Sequence, residues 1–403
     1  MDERPEQQAD EPLLRTADKY TQAPKVSHKV LTKEERLAII EANEKKRQEA
    51  AKLEQHKAFG PVGRWWRTLQ SGPDKVTLAM SIVALGVVYG DIGTSPLYTM
   101  QTFLAGQGGV QHADETAVIG MLSLVFWTMT LITTVEYVLI CMRVDNKGEG
   151  GIFALYSLLR KYGKWLIVPA MIGGAAFLAD SVLTPAMSIS SAVEGLQTLP
   201  ALQGVFEENP SLTLFIALVI ILAVFAVQSR GTERIGKVFG STVLVWFLFI
   251  AVTGAISMSQ NLEVLRALNP VHGIQFLVSG DNHAGLALMG TVFLSITGAE
   301  ALYSDMGHVG RESIYISWPL VKICLILNYL GQGAWLLSSW GDAALASLES
   351  LNPFFLMLPG ALRPVAVILS ALAAVIASQA LITGSYTLVS EAIRLDLMPH
   401  LKV

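Results

Sequence analysis

The sequence has little cysteine, little charge over most of its length, and no recognisable enzyme motif. Its two cysteines, Cys141 and Cys324, lie in separate apolar runs, which excludes a disulfide framework and a cysteine-based zinc site. The charged N-terminus lacks an apolar core, so no cleavable signal peptide is predicted. Because no glycine-rich nucleotide-binding loop, nucleophilic triad or zinc-ligand pattern occurs, we expect neither an enzyme nor a bound cofactor, and no nucleic-acid partner.

Apolar residues dominate instead: 52% of the chain is hydrophobic and only 15% is charged. The charges are unevenly placed, since 15 of the 29 Lys and Arg residues and 13 of the 33 Asp and Glu residues precede Val76. Composition of this kind lies outside the usual range of soluble domains. The sequence therefore predicts an all-α integral membrane protein in which each remaining charge needs a reason.

Three regions are predicted along the chain. Residues 1–75 form a cytoplasmic leader, disordered at first and then a charged helix over 31–55, with Trp65 and Trp66 as an interfacial anchor. A solvated leader is favoured over a regulatory segment. Residues 76–389 form a transmembrane domain, and residues 390–403 begin a cytoplasmic loop.

Eight membrane spans are predicted from the apolar runs. We number them span 1 to span 8: 76–103, 117–142, 165–198, 211–228, 238–258, 284–306, 313–338 and 361–389. Eleven Lys and Arg residues lie in the connections on the side of the N-terminus, and two, Arg266 and Arg363, lie in the alternate connections. This asymmetry predicts a multi-pass protein of the cytoplasmic membrane with its N-terminus in the cytoplasm.

Span 1 carries features that an ordinary membrane helix avoids. Gly90 and Gly93 let the backbone open, Pro96 removes a backbone donor, and Asp91 places a carboxylate in the apolar run. Non-helical backbone at this depth is tolerated where it is buried in protein or lines a wet cavity. A kinked helix with a capped break remains the alternative, but the acid favours an ion or substrate site.

Span 6 shows a second interruption. Gly298 and Glu300 lie near its middle, five spans after the first break. Glycine-interrupted helices at corresponding positions are typical of inverted-repeat secondary transporters. Sequence similarity between the two halves is too weak to establish the repeat by itself.

The segment Gly-Val-Val-Tyr-Gly-Asp-Ile-Gly-Thr-Ser-Pro-Leu-Tyr at residues 86–98 resembles the signature of the Kup/HAK/KT family of potassium uptake transporters. The resemblance extends to residues 148–151, 183–188, 297–308, 327–333, 352–355 and 377–380. It implies a LeuT-like core of spans 1–5 and an inverted copy in 6–10, with two further helices. A chain that ends after span 8 is therefore expected to be part of a longer protein or a truncated product.

The resemblance implies potassium uptake coupled to protons, and the polar residues are interpreted accordingly. Potassium is held by oxygen atoms that replace its hydration shell. Asp91 would offset the charge of the ion, and Glu300 would carry the proton. The predicted potassium-binding residues are Gly90, Asp91, Thr94, Tyr98, Asp180 and Thr184.

Several residues around this site leave alternatives open. Asp91 could also cap the broken helix, and Pro185 could simply bend span 3. Relatives have glycines beside the acid of span 3, so Ala179 and Ser181 depart from the family in a way that could narrow the cavity. Asp305 and His308 are expected to be gate or capping residues.

Two further charges depart from the family pattern, Glu136 in span 2 and Lys322 in span 7. Both are predicted at a similar depth, near the cytoplasmic side. One hypothesis is a buried ion pair in which each charge satisfies the other. The other is that Lys322 extends its ammonium group to the interface.

Potassium–proton symport is the function that the sequence favours, with K⁺, H⁺ and the lipid bilayer as partners. A non-transporting membrane sensor or subunit that keeps the fold is the alternative from a different class. An amino-acid transporter on the same scaffold is a rival within the transport class, although an acid beside the break is unsuited to a substrate carboxylate. The oligomeric state is left open, and a homodimer is among the states allowed.

Overall fold

The computed structural model describes residues 78–146, 148–228, 236–341, 345 and 351–399. The predicted leader, with Trp65 and Trp66, lies outside the described residues, as do Lys147, Arg230, Arg234 and Lys402.

The described part of the chain is helical and contains no β-strand; its single β-bridge joins Asn146 and Glu149. Each predicted span corresponds to helix. Five spans are single helices: span 3 is Ile167–Glu194, span 4 is Ser211–Gln228, span 5 is Gly236–Met258, span 7 is Arg311–Ser338 and span 8 is Arg363–Arg394. Span 2 is Glu115–Thr128 followed directly by Met129–Ile140. Spans 1 and 6 are divided: span 1 comprises Leu78–Val88, Gly90–Thr94, a 3₁₀ turn at Ser95–Leu97 and Thr99–Gly106, and span 6 comprises Ala287–Leu294, Ala301–Ser304 and Met306–Val309.

Shorter helices connect the spans. Ile152–Leu159 lies between spans 2 and 3, and Gln203–Glu208 precedes span 4. A 3₁₀ segment, Leu262–Leu268, and the helix Pro270–Val278 lie between spans 5 and 6. Pro353–Leu356 precedes span 8.

Five helices in the described ranges are long and apolar enough to cross a membrane. They belong to spans 2, 3, 5, 7 and 8, and span 4 contains a shorter apolar stretch of helix, Ser211–Ala226. Spans 1 and 6 are not among these helices, because each is divided into pieces that are too short to cross a membrane. The all-α membrane fold is thus confirmed.

Both divisions have a local cause. In span 1 the α-helix ends at Val88 and resumes at Gly90, and it changes to a 3₁₀ turn where Pro96 removes a backbone donor. In span 6 the α-helix ends at Leu294 and resumes at Ala301. Gly298 within this interval has φ +87°, a conformation that side-chain-bearing residues rarely adopt.

Span 1 lies among the other spans, and its first part packs against spans 5, 7 and 8. The approach to span 5 is close, because a Cβ atom on Gly86 would meet the Gly240 backbone nitrogen at 2.7 Å. Span 3 packs against spans 4 and 8. The broken middle of span 1 is therefore enclosed by protein, as non-helical backbone at membrane depth requires.

Span 2 changes from an α-helix to a π-helix over its second half, Met129–Ile140. The Thr134 hydroxyl donates to the Met129 carbonyl at 3.2 Å, five residues earlier. Long π-helical stretches are rare, and short ones occur mostly at functional sites. Here the wider helix carries Glu136 and Tyr137, which line a cavity that span 2 shares with spans 3, 6 and 8.

The structure corrects two expectations. The predicted Glu136–Lys322 ion pair is wrong: Lys322 Nζ donates to the hydroxyls of Thr130 and Thr134, at 2.9 and 3.1 Å, and lies 5.8 Å from the Phe126 ring centroid. Hydroxyl groups of the neighbouring span thus satisfy the ammonium group, while Glu136 is exposed. Second, span 8 continues to Arg394, past the predicted end near Val389, because Leu388 and Ala392, one turn apart, are buried against Phe153.

Candidate functional site

Side chains of spans 5 and 7, and of the connection before span 8, donate hydrogen bonds to backbone carbonyls at the break in span 1. Trp246 Nε1 of span 5 donates to the Gly93 carbonyl at 2.8 Å, and Gln332 Nε2 of span 7 donates to the Pro96 carbonyl at 2.9 Å. Asn352 Nδ2 donates to the Leu97 carbonyl at 2.9 Å. Buried carbonyl groups need such partners. Three of the carbonyls around the break are therefore bonded to protein donors.

Hydroxyl groups satisfy further groups at the same place. Thr94 Oγ1 donates to the Asp91 carbonyl at 2.8 Å and lies 3.0 Å from Ser188 Oγ of span 3. Thr99 Oγ1 donates to the Ser95 carbonyl at 2.8 Å. Thr94 thus links the break to span 3, although its hydroxyl is already engaged by two oxygen atoms.

The two breaks meet at Asp91 and Gly298. A Cβ atom added to Gly298 would lie 2.7 Å from both Cβ and Oδ2 of Asp91, and 2.9 Å from the Ile92 nitrogen. Only glycine fits this approach. Span 6 consequently brings Glu300, two residues later, beside the acid of span 1.

Three predicted acids form one cluster. Carboxylate oxygens of Asp91, Asp180 and Glu300 all lie within 4.8 Å of one another. Asp91 comes from span 1, Asp180 from span 3 and Glu300 from span 6. Three carboxylates at such distances repel one another unless a cation or protons lie among them.

Asp91 is the least satisfied member of this cluster. Its side chain is 5% exposed, and neither carboxylate oxygen has a hydrogen-bond partner in the described part of the chain. Asp180 Oδ1 accepts from Thr184 Oγ1 at 2.6 Å, while Asp180 Oδ2 has no partner there. A buried, unpaired carboxylate is costly, so the arrangement favours a positive ligand at Asp91.

The two departures from the family pattern, Ala179 and Ser181, lie on either side of Asp180 in span 3. Ala179 is exposed. Ser181 is buried, and its Oγ donates to the Phe177 carbonyl of its own helix at 2.8 Å. Asp180 lies in the carboxylate cluster although neither of its neighbours in the sequence is a glycine.

Two predicted ligands have other contacts. Tyr98 is buried, and its hydroxyl lies 3.5 Å from Ser95 Oγ, a long hydrogen bond that leaves the oxygen poorly satisfied. Gly90 packs against span 8, where a Cβ atom would lie 3.0 Å from the Ala377 Cα atom. Close packing alone therefore explains a glycine at position 90.

A cavity of about 550 Å³ extends from the acid cluster between spans 2, 3, 6 and 8. Five acids line it: Glu136, Asp180, Glu300, Asp305 and Glu391. Its other walls are largely apolar, from residues such as Phe177 and Leu388. The cavity thus gives the cluster a wide, negatively lined space that suits a cation.

Of the two roles expected for Asp305, gate or cap, the structure excludes the cap. Asp305 immediately precedes the helix Met306–Val309, but its side chain makes no capping hydrogen bond there. It lines the cavity instead, while His308 is exposed. Asp305 is therefore placed for a role in the cavity.

Three residues that are buried at the break are not among the predicted site residues: Trp246, Gln332 and Ser188. Gln332 and Ser188 belong to segments that resemble the family, and that was the available signal. Trp246 lies in an apolar run that offers no signal for its contact with Gly93.

The sequence is similar to those of known potassium transport proteins. Residues 78–403 match the family model described as "K+ potassium transporter integral membrane domain". The chain is 70% identical over 324 residues to the probable potassium transport system protein Kup 2 of Bifidobacterium longum, covering 80% of this chain and 44% of that protein. It is 56% identical over 335 residues to the probable potassium transport system protein Kup of Clostridium perfringens, covering 83% and 51%.

No solved structure matches the chain. The chain spans about half the length of the curated relatives it matches. Because the family model covers most of the chain, and the broken spans that carry the acid cluster lie within the matched region, the chain belongs to the K⁺ potassium transporter family.

Proposed function

We propose that this chain supplies the cation-binding part of a protein that takes up potassium across the cytoplasmic membrane in symport with protons. The observation that carries the proposal is the cluster of Asp91, Asp180 and Glu300, whose oxygens lie within 4.8 Å of one another. The relatives are named as potassium transport proteins, and that name supports K⁺ as the substrate.

Asp91 is the proposed charge partner of the potassium ion. Its two unpaired oxygens lie beside the break, where water is largely excluded. A dehydrated K⁺ needs several oxygen ligands, and nearby oxygens can complete the shell. Asp180, the Thr184 hydroxyl that it binds, and the Tyr98 hydroxyl are the proposed contributors.

Backbone oxygens have a smaller part in this proposal. The Gly93 carbonyl accepts from Trp246, and the Asp91 carbonyl accepts from Thr94. A carbonyl retains a second lone pair, so each can still coordinate an ion weakly. Side-chain oxygens are therefore the main proposed ligands.

Glu300 is the proposed proton carrier. It lies next to Asp180 in the cluster and also lines the cavity. A proton on Glu300 would relieve the repulsion among the carboxylates, and so would a potassium ion at Asp91. The charge state of Glu300 and the occupancy of Asp91 are thereby linked through one electrostatic cluster, and this linkage is the proposed basis for coupling potassium to protons.

The acid-lined cavity is the proposed path between the cluster and the cytoplasm. Asp305 and Glu391 lie along its wall, beyond Glu300 in the chain. The distribution of Lys and Arg supports a cytoplasmic position for this end of the cavity, on the same side as the N-terminus. Carboxylates along the wall would keep a departing cation hydrated and attracted.

Binding of ⁸⁶Rb⁺ to the purified chain tests the proposal directly, because binding does not require a complete transport cycle. Asp91→Asn keeps the size of the side chain and removes its charge. We expect saturable Rb⁺ binding, competed by K⁺, in the unchanged chain and none in Asp91→Asn. Asp281→Asn is the matched control, since Asp281 is an exposed acid in the connection before span 6. Equal binding by both variants would contradict the assignment of Asp91.

A further inference from the structure

Two exposed histidines that are far apart in the sequence lie next to each other in the connections between spans. His112 lies in the connection after span 1, and His283 lies in the connection before span 6. Their ring centroids are 5.1 Å apart, with an angle of 69° between the ring planes. Both connections belong to the face that the charge distribution predicts to be outside the cell.

The backbone that carries these rings is fixed by a buried glutamine. Gln107 is 1% exposed; its Oε1 accepts from the His283 backbone nitrogen at 3.0 Å, and its Nε2 lies 3.5 Å from Asn282 Oδ1. Asn282 Nδ2 in turn donates to the carbonyl groups of Leu277 and Gly285. The two connections are therefore joined beneath the histidine pair and hold it in place.

One ring is already oriented as in a typical metal ligand. His112 Nδ1 lies 3.2 Å from the Gly108 carbonyl, within a turn formed by Gly108 and Gly109, whose φ angles are +86° and +110°. A carbonyl can only accept, so this nitrogen carries the hydrogen, and in the neutral ring Nε2 then has a free lone pair. Metal-binding histidines usually donate their other ring nitrogen to a carbonyl or carboxylate in this way.

We infer that His112 and His283 form a binding site for a divalent transition-metal ion such as Zn²⁺ or Ni²⁺. Imidazole is a preferred ligand of both ions. Two ring nitrogens would supply two ligands, and water would complete the shell on the exposed side. An aromatic contact alone would explain the packing of the rings, but it would not require the His112 hydrogen bond that frees Nε2.

A metal ion at this place would join the connection after span 1 to the connection before span 6. One connection directly follows the broken span that carries Asp91, and the other directly precedes the broken span that carries Glu300. The ion would therefore resist any separation of their outer ends. Metal binding itself can be measured on the chain whether or not the proposed transport function holds.

The test is Zn²⁺ titration of the purified chain against a chromophoric chelator, with thermal melting as a second measurement. We expect His112→Ala and His283→Ala each to weaken Zn²⁺ binding by at least about ten-fold and to remove the rise in melting temperature that Zn²⁺ causes. His272→Ala is the matched control, because His272 lies in the helix Pro270–Val278 of the same connection. His283→Cys, which supplies another zinc ligand, should recover binding.

The measurements distinguish the histidine pair from other places where zinc could bind. Zinc binding that persists unchanged in the His112→Ala/His283→Ala double variant would overturn the inference. Zinc held by the carboxylate cluster would behave in that way, and it would be lost in Asp91→Asn. Equal weakening by His272→Ala would also overturn it, because the effect would then follow histidine number and not position.

Discussion

Gly298 of span 6 lies against Asp91 of span 1 so closely that a methyl group on Gly298 would come within 2.7 Å of the Asp91 carboxylate. This contact joins the two interrupted spans at the site. It also explains why a residue with φ +87° is glycine, since both the backbone conformation and the space exclude a side chain. The position of the cluster thus depends on a residue that carries no functional group.

Gly298→Ala should abolish Rb⁺ binding. The change forces an unfavourable φ angle, which costs roughly 1–3 kcal/mol, and displaces Asp91 from the cluster. Gly290→Ala is the control, because Gly290 lies in the same span and no atom lies within 4 Å of an added Cβ atom. Rb⁺ binding and melting temperature would both be measured. Normal binding by Gly298→Ala would show that the close approach of the two breaks is unimportant.

Glu300→Gln should separate cation binding from proton coupling. The amide mimics the protonated acid, so Rb⁺ binding should survive better than in Asp91→Asn while its dependence on pH is lost. Binding at several pH values, and uptake against imposed pH gradients, would measure this. Glu136→Gln is the control for charge in the cavity, since Glu136 lines the same space from span 2. An unchanged pH response in Glu300→Gln would move the coupling role to Asp180.

Trp246→Phe should destabilise the break in span 1. It removes the donor to the Gly93 carbonyl and leaves a buried acceptor unpaired, at a cost of roughly 1–3 kcal/mol in the free energy of unfolding. Trp127→Phe removes a comparable indole bond, 3.1 Å to the Leu268 carbonyl, at a more accessible place. Water can replace that bond, so its loss should cost less. Equal losses of stability would argue against a special role for Trp246.

Lys322 should be coupled energetically to Thr134 and not to Glu136. In a double-mutant cycle, Lys322→Met with Glu136→Gln should give effects that add within about 0.5 kcal/mol. Lys322→Met with Thr134→Val should deviate from additivity, because the ammonium group donates to that hydroxyl at 3.1 Å. Unfolding free energies of the variants provide the measurement. Strong coupling between positions 322 and 136 would restore the ion-pair hypothesis.

Much of the fold followed from local features of the sequence. Apolar runs of sufficient length predict membrane helices, because a span must satisfy its own backbone groups within the bilayer. Pro96 and Gly298 predicted the interruptions because each restricts or frees the backbone within a few residues. Asp91, Asp180 and Glu300 stood out because a carboxylate within an apolar run is costly. These signals act along the chain, and the sequence displays them directly.

What only the tertiary structure decided is which distant groups meet. The spacing of residues along the chain does not give the rotation and depth of one span against another, and those two quantities bring the three carboxylates within 4.8 Å. They also set the Trp246 indole on the Gly93 carbonyl and direct Lys322 to Thr130 and Thr134. Opposite charge and similar predicted depth suggested Glu136 as the partner of Lys322, yet the facing surface of span 2 offers hydroxyl groups that satisfy the ammonium without it.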